Sequence, residues 1–245
     1  MTSIHAAQPN HATGAGLRLF LDSADPIDWN RFLPLGCFHG VTTNPLLLER
    51  AGQACTLANL ERLARRATDL GIREIQLQTW GRSPAEMIHN GGQLALLAGQ
   101  DLDVVIKVPI DEAGLQVACQ LAAAGCRITL TAVYNAGQIL TAAGFGAAYA
   151  APYLGRLNDA GRDGRAAVMA MHEILRGSAS ETRLLVASLR SVDQIIDLAR
   201  QGLDTFTVGP AVAAGLVAEE LTETAAIDFQ RAAESMNLPD RESDS

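Results

Sequence analysis

Short runs of apolar and β-branched residues alternate along the chain with longer segments rich in Ala, Leu, Arg and Gln. Runs of this length and composition are typical of strands, and the longer segments have the length of helices. The alternation therefore predicts a strand–helix unit that repeats through the chain. We predict eight strands, at residues 17–22, 40–44, 73–78, 104–109, 127–133, 147–153, 183–188 and 205–210.

The segments between these strands carry start and stop signals for helices. Ser83-Pro84, Asp111 and Ser191 are suited to helix N-termini, and glycines follow several of the segments. A further helical segment follows the eighth strand, where it would pack on the body of the protein or reach a neighbouring subunit. The predicted helices include residues 57–70, 85–99, 112–124, 166–176 and 192–201, and the extra one covers residues 222–236.

Eight such units favour a single (β/α)8 barrel, with its extra C-terminal helix, over residues 17–236. No Gly/Ser-rich linker or shift in composition divides this span. We interpret residues 1–16 as a flexible N-terminal extension and residues 237–245 as a polar tail. An open doubly wound sheet also alternates strands with helices, but the eight units and the absence of GxGxxG and GxxxxGK[ST] weigh against it.

The composition is that of a globular protein with a large core, since 48% of the residues are hydrophobic. The net charge of −8, with acidic residues scattered, argues against a nucleic-acid or anionic-membrane partner. No run reaches the roughly 18 apolar residues of a membrane span, and the N-terminus lacks a signal-peptide core, so we expect a cytoplasmic protein. The four cysteines and five histidines have no metal-binding spacing, so we expect no metal, and we expect the thiols to be reduced and buried.

Lys107 is the only lysine in the chain, and the other eighteen of the nineteen Lys and Arg residues are arginines. It lies inside the apolar run at residues 104–109. Burial disfavours the charged form of an amine, and the neutral form is the nucleophile that makes Schiff bases with carbonyl substrates. Lys107 is therefore a candidate nucleophile. The alternative is a lysine at a strand end whose ammonium group reaches solvent.

Polar side chains occur near the carboxyl ends of nearly all the predicted strands. Parallel strands buried on both faces are usually apolar, and barrel enzymes place their chemistry at this end of the strands. The pattern therefore indicates a polar site there, and Arg156 and Arg190, which follow two of the strands, are candidates for binding a phosphate. The polar residues on the strands are Asp22, Thr42, Thr43, Asn44, Gln76, Gln78, Lys107, Thr129, Thr131, Tyr153 and Ser188.

Each of these residues also has a purely structural explanation. Asp22 could cap the helix that follows it, and Asn44 could end a strand before Pro45. The polar residues of the third, fifth and sixth strands could form a hydrogen-bonded network with no catalytic part, and the two arginines could be ordinary surface residues. The residues alone leave these alternatives open.

Six motifs narrow the choice, namely LFLDSAD, GVTTNP, IKVP, TLTAVYNAGQ, APYLGR and VASLR. In their order and spacing over residues 17–231 they resemble the small transaldolase and fructose-6-phosphate aldolase family. The resemblance implies a class I mechanism in an eight-stranded barrel that is circularly permuted, so that the Schiff-base lysine lies on the fourth strand. Lys107 lies on the fourth strand predicted from the alternation.

The resemblance also implies a role for each matching residue. Lys107 would attack the ketose carbonyl, and Asp22 would hold a substrate hydroxyl and assist proton transfer. The residues expected to hold a catalytic water are Gln78, Thr131 and Tyr153. The residues expected to bind the substrate are Asn44 and Ser188 around the dihydroxyacetone portion, and Arg156 and Arg190, with Ser188, at the phosphate. Thr43, next to Asn44, is also expected to bind the substrate.

We predict an aldolase that cleaves or forms the C3–C4 bond of a ketose phosphate such as fructose 6-phosphate, giving dihydroxyacetone and glyceraldehyde 3-phosphate. Gln78 and Tyr153 resemble the aldolase type, whereas transfer-type relatives tend to carry Glu and Phe at these positions. The segment Leu154-Gly155-Arg156 resembles the transfer type instead, and Thr129 stands where aldolases usually carry an apolar residue. The alternative is therefore a transaldolase that moves the dihydroxyacetone unit between sugar phosphates, or an enzyme of a sulfosugar, since arginines bind any tetrahedral anion.

A third possibility is a non-catalytic barrel that binds sugar phosphates, although binding alone does not require an amine in an apolar strand. A Schiff-base mechanism needs no cofactor, and we expect none. The resemblance further implies a homo-oligomer, a pentamer or a decamer.

Overall fold

Eight parallel strands form one sheet in the computed structural model of the protein, which describes residues 16–236. The expected N-terminal extension, apart from Gly16, and the expected tail at residues 237–245 lie outside the described residues. The strands are β1 (Arg18–Asp22), β2 (Gly40–Thr42), β3 (Glu74–Gln78), β4 (Asp103–Pro109), β5 (Arg127–Val133), β6 (Tyr149–Pro152), β7 (Arg183–Leu184) and β8 (Thr205–Val208).

The sheet runs β7-β6-β5-β4-β3-β2-β1-β8, and β8 meets the chain that continues β7. There Val186 N–H donates to the Thr205 carbonyl and the Thr207 N–H donates to the Val186 carbonyl, both at 3.0 Å. These two bonds bring the ends of the sheet together into a barrel. The predicted (β/α)8 architecture is confirmed.

Helices surround the barrel, and three of them begin where their capping residues predict. Ser83, Asp111 and Ser191 each accept a hydrogen bond from a backbone N–H three residues further on. The helices are α1 (Pro26–Phe32), α2 (Pro45–Arg50), α3 (Leu57–Asp69), α4 (Pro84–Ala95), α5 (Glu112–Ala123), α6 (Ala136–Phe145), α7 (Leu154–Asp159), α8 (Gly164–Gly177), α9 (Val192–Arg200), α10 (Pro210–Gly215) and α11 (Glu220–Met236).

Most element boundaries lie within two residues of the predictions, and two differ by four residues. The predicted helix at residues 85–99 ends at Ala95, because the N–H groups of Leu97 and Ala98 bond to carbonyls three residues back rather than four. The predicted strand at residues 183–188 is regular only to Leu184, and the chain beyond it makes isolated bridges at Val186 and Ala187.

Apolar side chains fill two separate layers. The larger lies between the strands and the helices, and a second, smaller cluster inside the barrel consists of Phe20, Val105, Tyr149, Ala151 and Leu185. We call this inner cluster the apolar plug. Because side chains alternate across a strand, residues two positions further along face the same interior. Four strands therefore place Asp22, Lys107, Tyr153 and Ala187 one layer above the plug, toward the carboxyl ends.

The cysteines are free, but the expectation that they are buried is wrong. Cys37 and Cys119 are exposed, while Cys55 and Cys126 are half-buried, and burial raises the pKa of the latter two thiols. In α5 the buried positions are occupied by Val117, Ala118 and Leu121 among others, which leaves Cys119 on the solvent side of the helix.

The extra C-terminal helix, α11, does not pack on the barrel. None of its residues is buried against the rest of residues 16–236. Leu221 and Phe229 are 78% and 74% exposed. Of the two predicted placements, packing on the body of the protein is therefore not observed. Across the described span, no helix combines the length and apolarity required to cross a membrane.

Candidate active site

A cleft of about 570 Å³ opens at the carboxyl ends of the strands. Its volume lies in the range of small-molecule sites. Both acidic and basic side chains face it, so it suits a polar, charged ligand. Its polar lining consists of Asp22, Asn44, Arg50, Lys107, Tyr153, Arg156, Asp159, Ser188 and Arg190.

Lys107 lies in β4 and is only 3% exposed, although it borders the cleft. It pairs in register with Gln78 of β3 on one side and with Thr129 of β5 on the other. Val105 of the apolar plug lies two residues earlier on the same face of the strand. The amine is therefore placed between polar neighbours at the same level and apolar side chains beneath.

Asp22 is held by a hydrogen bond rather than used as a helix cap. The Thr42 hydroxyl donates to its Oδ1 at 2.6 Å, and Thr42 also contacts the Thr207 hydroxyl at 2.5 Å. The cap of α1 is Asp25, which accepts from the Ile27 N–H. The capping explanation for Asp22 is therefore wrong, and its carboxylate faces the cleft.

Asn44 has a structural contact that also restricts what it can do in the cleft. Its Oδ1 accepts from the Leu47 N–H at 3.1 Å and caps α2. The side-chain oxygen is thus engaged, and the amide NH₂ is the part that can donate to a ligand. Thr43, by contrast, is 1% exposed and does not line the cleft, and its hydroxyl has no hydrogen-bond partner within residues 16–236.

Thr131 and Tyr153 form one of the predicted polar contacts. Their hydroxyl oxygens lie 2.8 Å apart, and Thr131 is buried while Tyr153 reaches the cleft. The strand bulges just after Thr131, where Ala132 adopts a left-handed φ of 58°. Bulges of this kind redirect side chains near active sites. Gln78 is half-buried beside Lys107, so the three residues expected to hold a water lie on the strands around the amine.

Three arginines border the cleft, one more than the sequence analysis proposed. The Arg156 guanidinium lies 5.4 Å from the centre of the Tyr153 ring, and Arg190 forms an ion pair with Asp159. Arg156 and Arg190 are both exposed. Arg50 was missed because it is the last residue of α2, and only the path of that short helix brings it to the cleft.

Ser188 has a backbone conformation that is unusual for a residue other than glycine. Its φ is 59°, in the left-handed region, which non-glycine residues adopt mainly where surrounding contacts fix them. Its carbonyl accepts the Gly155 N–H at 3.0 Å, which ties the turn after β7 to the start of α7. This contact sets the separation of Ser188 and Arg156.

A second charged group, which the sequence analysis missed, lies at the opposite end of the barrel. Glu74 is 2% exposed, and its carboxylate receives bonds from the Tyr149 hydroxyl at 3.0 Å and the Arg127 guanidinium at 3.1 Å, with His39 at 3.7 Å. Burial alone would raise the pKa of Glu74, but the contact with His39 and the charge of Arg127 outweigh it and lower the pKa. Burial, together with the charge of Glu74, raises the pKa of Tyr149 to about 12.

Within the part of the chain that the structure describes, no group of three or more His, Cys, Asp or Glu side chains is arranged to hold a metal ion. The expectation of no metal site remains a prediction for the whole chain.

A parallel eight-stranded barrel with a polar cleft at the carboxyl ends of its strands is the architecture of barrel enzymes. The sequence pattern of the transaldolase/fructose-6-phosphate aldolase family matches residues 19–242, and the chain belongs to this family. The predicted family is confirmed, and the protein is an enzyme of the transaldolase/aldolase type.

Individual relatives agree with this assignment. The chain is 33% identical over 224 residues to a probable transaldolase of Maricaulis maris, covering 90% of this chain and 100% of that protein. A probable transaldolase of Myxococcus xanthus is 32% identical, covering 84% of this chain and 90% of its own length.

Solved structures with low sequence identity show the fold alone. The putative copper homeostasis protein CutC of Streptococcus agalactiae superposes with a TM-score of 0.59 at 10% identity, covering 79% of this chain and 98% of its own. A mandelate oxidase superposes with a TM-score of 0.53 at 15% identity, covering 80% of this chain and 65% of that larger protein.

Proposed function

We propose that the enzyme forms a Schiff base between Lys107 and a ketose phosphate and cleaves or forms the bond between carbons 3 and 4. One observation carries the proposal. The only lysine of the chain is 3% exposed and borders the cleft that Asp22, Asn44 and Ser188 also line. An amine that is shielded from bulk water and yet reaches a ligand cleft has the properties of a carbonyl-attacking nucleophile.

The chemistry follows from these side chains. The Lys107 amine attacks carbon 2 of the ketose, and loss of water leaves an iminium ion, which is an electron sink. A base takes the proton of the carbon-4 hydroxyl, and the C3–C4 bond breaks. The aldehyde that contains carbon 4 leaves, and the electron pair of the broken bond stays on carbon 3 and forms an enamine on Lys107. Asp22, oriented by Thr42, is the proposed base for this proton, a contribution of roughly 100- to 10,000-fold.

The two ends of the substrate would be held by different groups. The Asn44 amide and the Ser188 hydroxyl would bind the dihydroxyacetone hydroxyls. Arg156, with Arg190, would bind the phosphate, because guanidinium groups match its geometry with two parallel hydrogen bonds. Binding of a dianion would compete with Asp159 for Arg190, so part of the Arg190 ion pair must be given up.

The fate of the enamine distinguishes two enzymes. In an aldolase, water held by Gln78, Thr131 and Tyr153 protonates carbon 3, and hydrolysis of the imine releases dihydroxyacetone. The hydrogen bond between Thr131 and Tyr153 beside the cleft favours this outcome. In a transaldolase, the enamine attacks a second aldehyde instead. The two relatives described above are named probable transaldolases, which favours this outcome at least as strongly as the hydrogen bond favours the aldolase.

Borohydride trapping tests the covalent step. Reduction in the presence of fructose 6-phosphate is expected to add one reduced substrate fragment to Lys107, located by peptide mass spectrometry. The adduct is easily located, because the sequence contains a single lysine side chain. The Lys107→Met variant is the matched control and should acquire no adduct. A wild-type enzyme that acquires none with several ketose phosphates would refute the Schiff-base proposal.

A second assay separates the two fates. Fructose 6-phosphate alone is supplied first, and free dihydroxyacetone is measured; erythrose 4-phosphate is then added as an acceptor. An aldolase releases dihydroxyacetone at a steady rate without the acceptor. A transaldolase releases little until the acceptor is present and then forms a seven-carbon ketose phosphate.

We also propose that the enzyme is a homo-oligomer, a pentamer or a decamer, as the family resemblance implies. The apolar side chains that α11 leaves exposed, including Leu221 and Phe229, support an intersubunit contact through this helix.

A further inference from the structure

A chain of buried hydrogen bonds runs from Glu74 toward the level of Lys107 inside the barrel. The Gln76 Nε2 donates to Glu74 Oε1 at 3.0 Å, and the Thr129 hydroxyl donates to Gln76 Oε1 at 2.8 Å. Gln76 and Thr129 are fully buried, and Glu74 is 2% exposed. Neither Glu74 nor Gln76 lines the cleft, so the proposed mechanism uses neither of them directly.

The direction of each bond in this chain is determined by Glu74. A carboxylate can only accept hydrogen bonds, and Arg127 and Tyr149 both donate to it. The amide nitrogen of Gln76 must therefore face Glu74, which leaves the amide oxygen facing Thr129. An amide placed between neutral groups could adopt either orientation, but the carboxylate removes that choice.

The orientation of the Gln76 amide determines the hydrogen bonding of Thr129, whose hydroxyl has one proton and two lone pairs. The proton is used in the bond to Gln76, so the hydroxyl can only accept hydrogen bonds from any other neighbour. Thr129 pairs in register with Lys107 on the adjacent strand, where inward side chains are neighbours across a strand spacing of about 4.8 Å. An acceptor of fixed direction thus lies beside the nucleophile.

We propose that Gln76 is a positioning residue for Lys107, acting through Thr129. The amide of Gln76 holds the Thr129 hydroxyl so that it accepts an N–H of Lys107, and this keeps the nitrogen lone pair directed toward the substrate carbonyl. The same acceptor stabilises the N–H of the iminium ion once it forms. This inference rests on the proposed function, because it concerns the rate at which Lys107 forms the imine.

A double-mutant cycle tests the coupling. Gln76→Met removes both hydrogen bonds at nearly constant volume, and Thr129→Val removes the hydroxyl. The measurement is the single-turnover rate of the borohydride-trapped adduct on Lys107 with fructose 6-phosphate. Each single variant is expected to be about tenfold slower, the effect of losing one hydrogen bond to a charged group, with KM nearly unchanged. The double variant should be no slower than the slower single variant.

Two comparisons make the result specific. Thr129→Ser keeps the hydroxyl and should stay within about threefold of the wild-type rate. Thr182→Val removes another buried threonine hydroxyl, from a position outside the cleft, and should leave the rate unchanged. Thermal unfolding of each variant then shows whether slower trapping follows reduced stability.

The outcomes separate the two proposals. A wild-type enzyme without any adduct refutes the proposed function. A wild-type adduct with Gln76→Met at full rate, or with losses that multiply in the double variant, overturns the positioning role alone. If Gln76→Met does not fold, Thr129→Val still decides, because a wild-type trapping rate in that variant overturns the proposal.

Discussion

Gly155 determines how closely the turn containing Ser188 and Arg190 approaches α7, and Gly155→Ala tests whether that turn binds the phosphate. A Cβ at this position would lie 2.3 Å from the Ser188 carbonyl oxygen and 2.8 Å from Arg190 Nε. The first of these separations would have to open to at least 3.0 Å, the lower limit of real Cβ contacts. The Arg190 side chain can rotate away, but the Ser188 oxygen belongs to the backbone. The turn itself must therefore move by several tenths of an ångström.

Such a displacement separates Ser188 and Arg190 from Arg156. Misplacement of binding groups by up to about 1 Å costs as much as 100-fold, so we expect kcat/KM for fructose 6-phosphate to fall roughly 10- to 100-fold, mainly through KM. Steady-state kinetics with fructose 6-phosphate and with unphosphorylated fructose provide the assay. The loss should be smaller for fructose, which loses its contact with the displaced Ser188 hydroxyl but has no phosphate for Arg156 and Arg190 to bind.

Gly144→Ala is the matched control. Gly144 lies in α6 with no atom within 4 Å of its would-be Cβ, so the substitution should leave both substrates unaffected and slightly stabilise the helix. Equal losses for fructose and fructose 6-phosphate in a folded Gly155→Ala variant would refute a phosphate site at this turn. So would an unchanged KM.

Three further predictions concern other parts of the structure. Thr42→Val removes the hydroxyl that donates to Asp22 and should lower kcat about tenfold, whereas Thr42→Ser should restore most of it; equal rates for the two variants would contradict the role of this bond. Phe229→Asp places a charge on the exposed face of α11 and should reduce the mass found by light scattering, provided the wild type is the proposed oligomer; a monomeric wild type contradicts it. Because the pKa of Glu74 is lowered in the folded state, its stabilising effect is present above pH 4.5 and is lost as the pH falls through the lowered value. Glu74→Gln should therefore lower the free energy of unfolding by about 1–3 kcal/mol at pH 7 and flatten its decline in acid, and a variant whose acid-unfolding curve runs parallel to that of the wild type would contradict this.

The barrel could be predicted because each of its units has a local signal. Strand and helix periodicities differ, and capping residues such as Ser83 and Asp111 mark where helices begin. The end of β7 could not be predicted in this way. Its regular pairing stops at Leu184, and Ser188 takes a left-handed conformation in a turn that is hydrogen-bonded to Gly155, a residue distant in sequence.

The residues of the candidate site also differ in whether a local sequence signal identifies them. Lys107 and Asp22 could be identified because polar residues are rare in buried parallel strands. Arg50 could not, since its place depends on the direction of α2. The Glu74 cluster depends on partners even further apart, as Arg127 and Tyr149 lie 53 and 75 residues away in sequence. Partners so far apart in sequence leave no local pattern from which the cluster could be predicted.

The apolar plug explains why the two ends of the barrel can have different roles. Phe20, Val105 and Leu185 lie one layer below Asp22, Lys107 and Ala187, so apolar side chains and the uncharged pair Gln76 and Thr129 separate the Glu74 carboxylate from Lys107. In barrels generally, residues at the lower end contribute to stability and those at the upper end to chemistry. Gln76 and Thr129 connect the two ends by hydrogen bonds. Glu74 determines the direction of these bonds up to the level of Lys107, and neither Gln76 nor Thr129 carries a charge. Substitution of Glu74 should consequently affect stability most, substitution of Lys107 chemistry alone, and substitution of Gln76 the rate of imine formation more than either substrate affinity or folding.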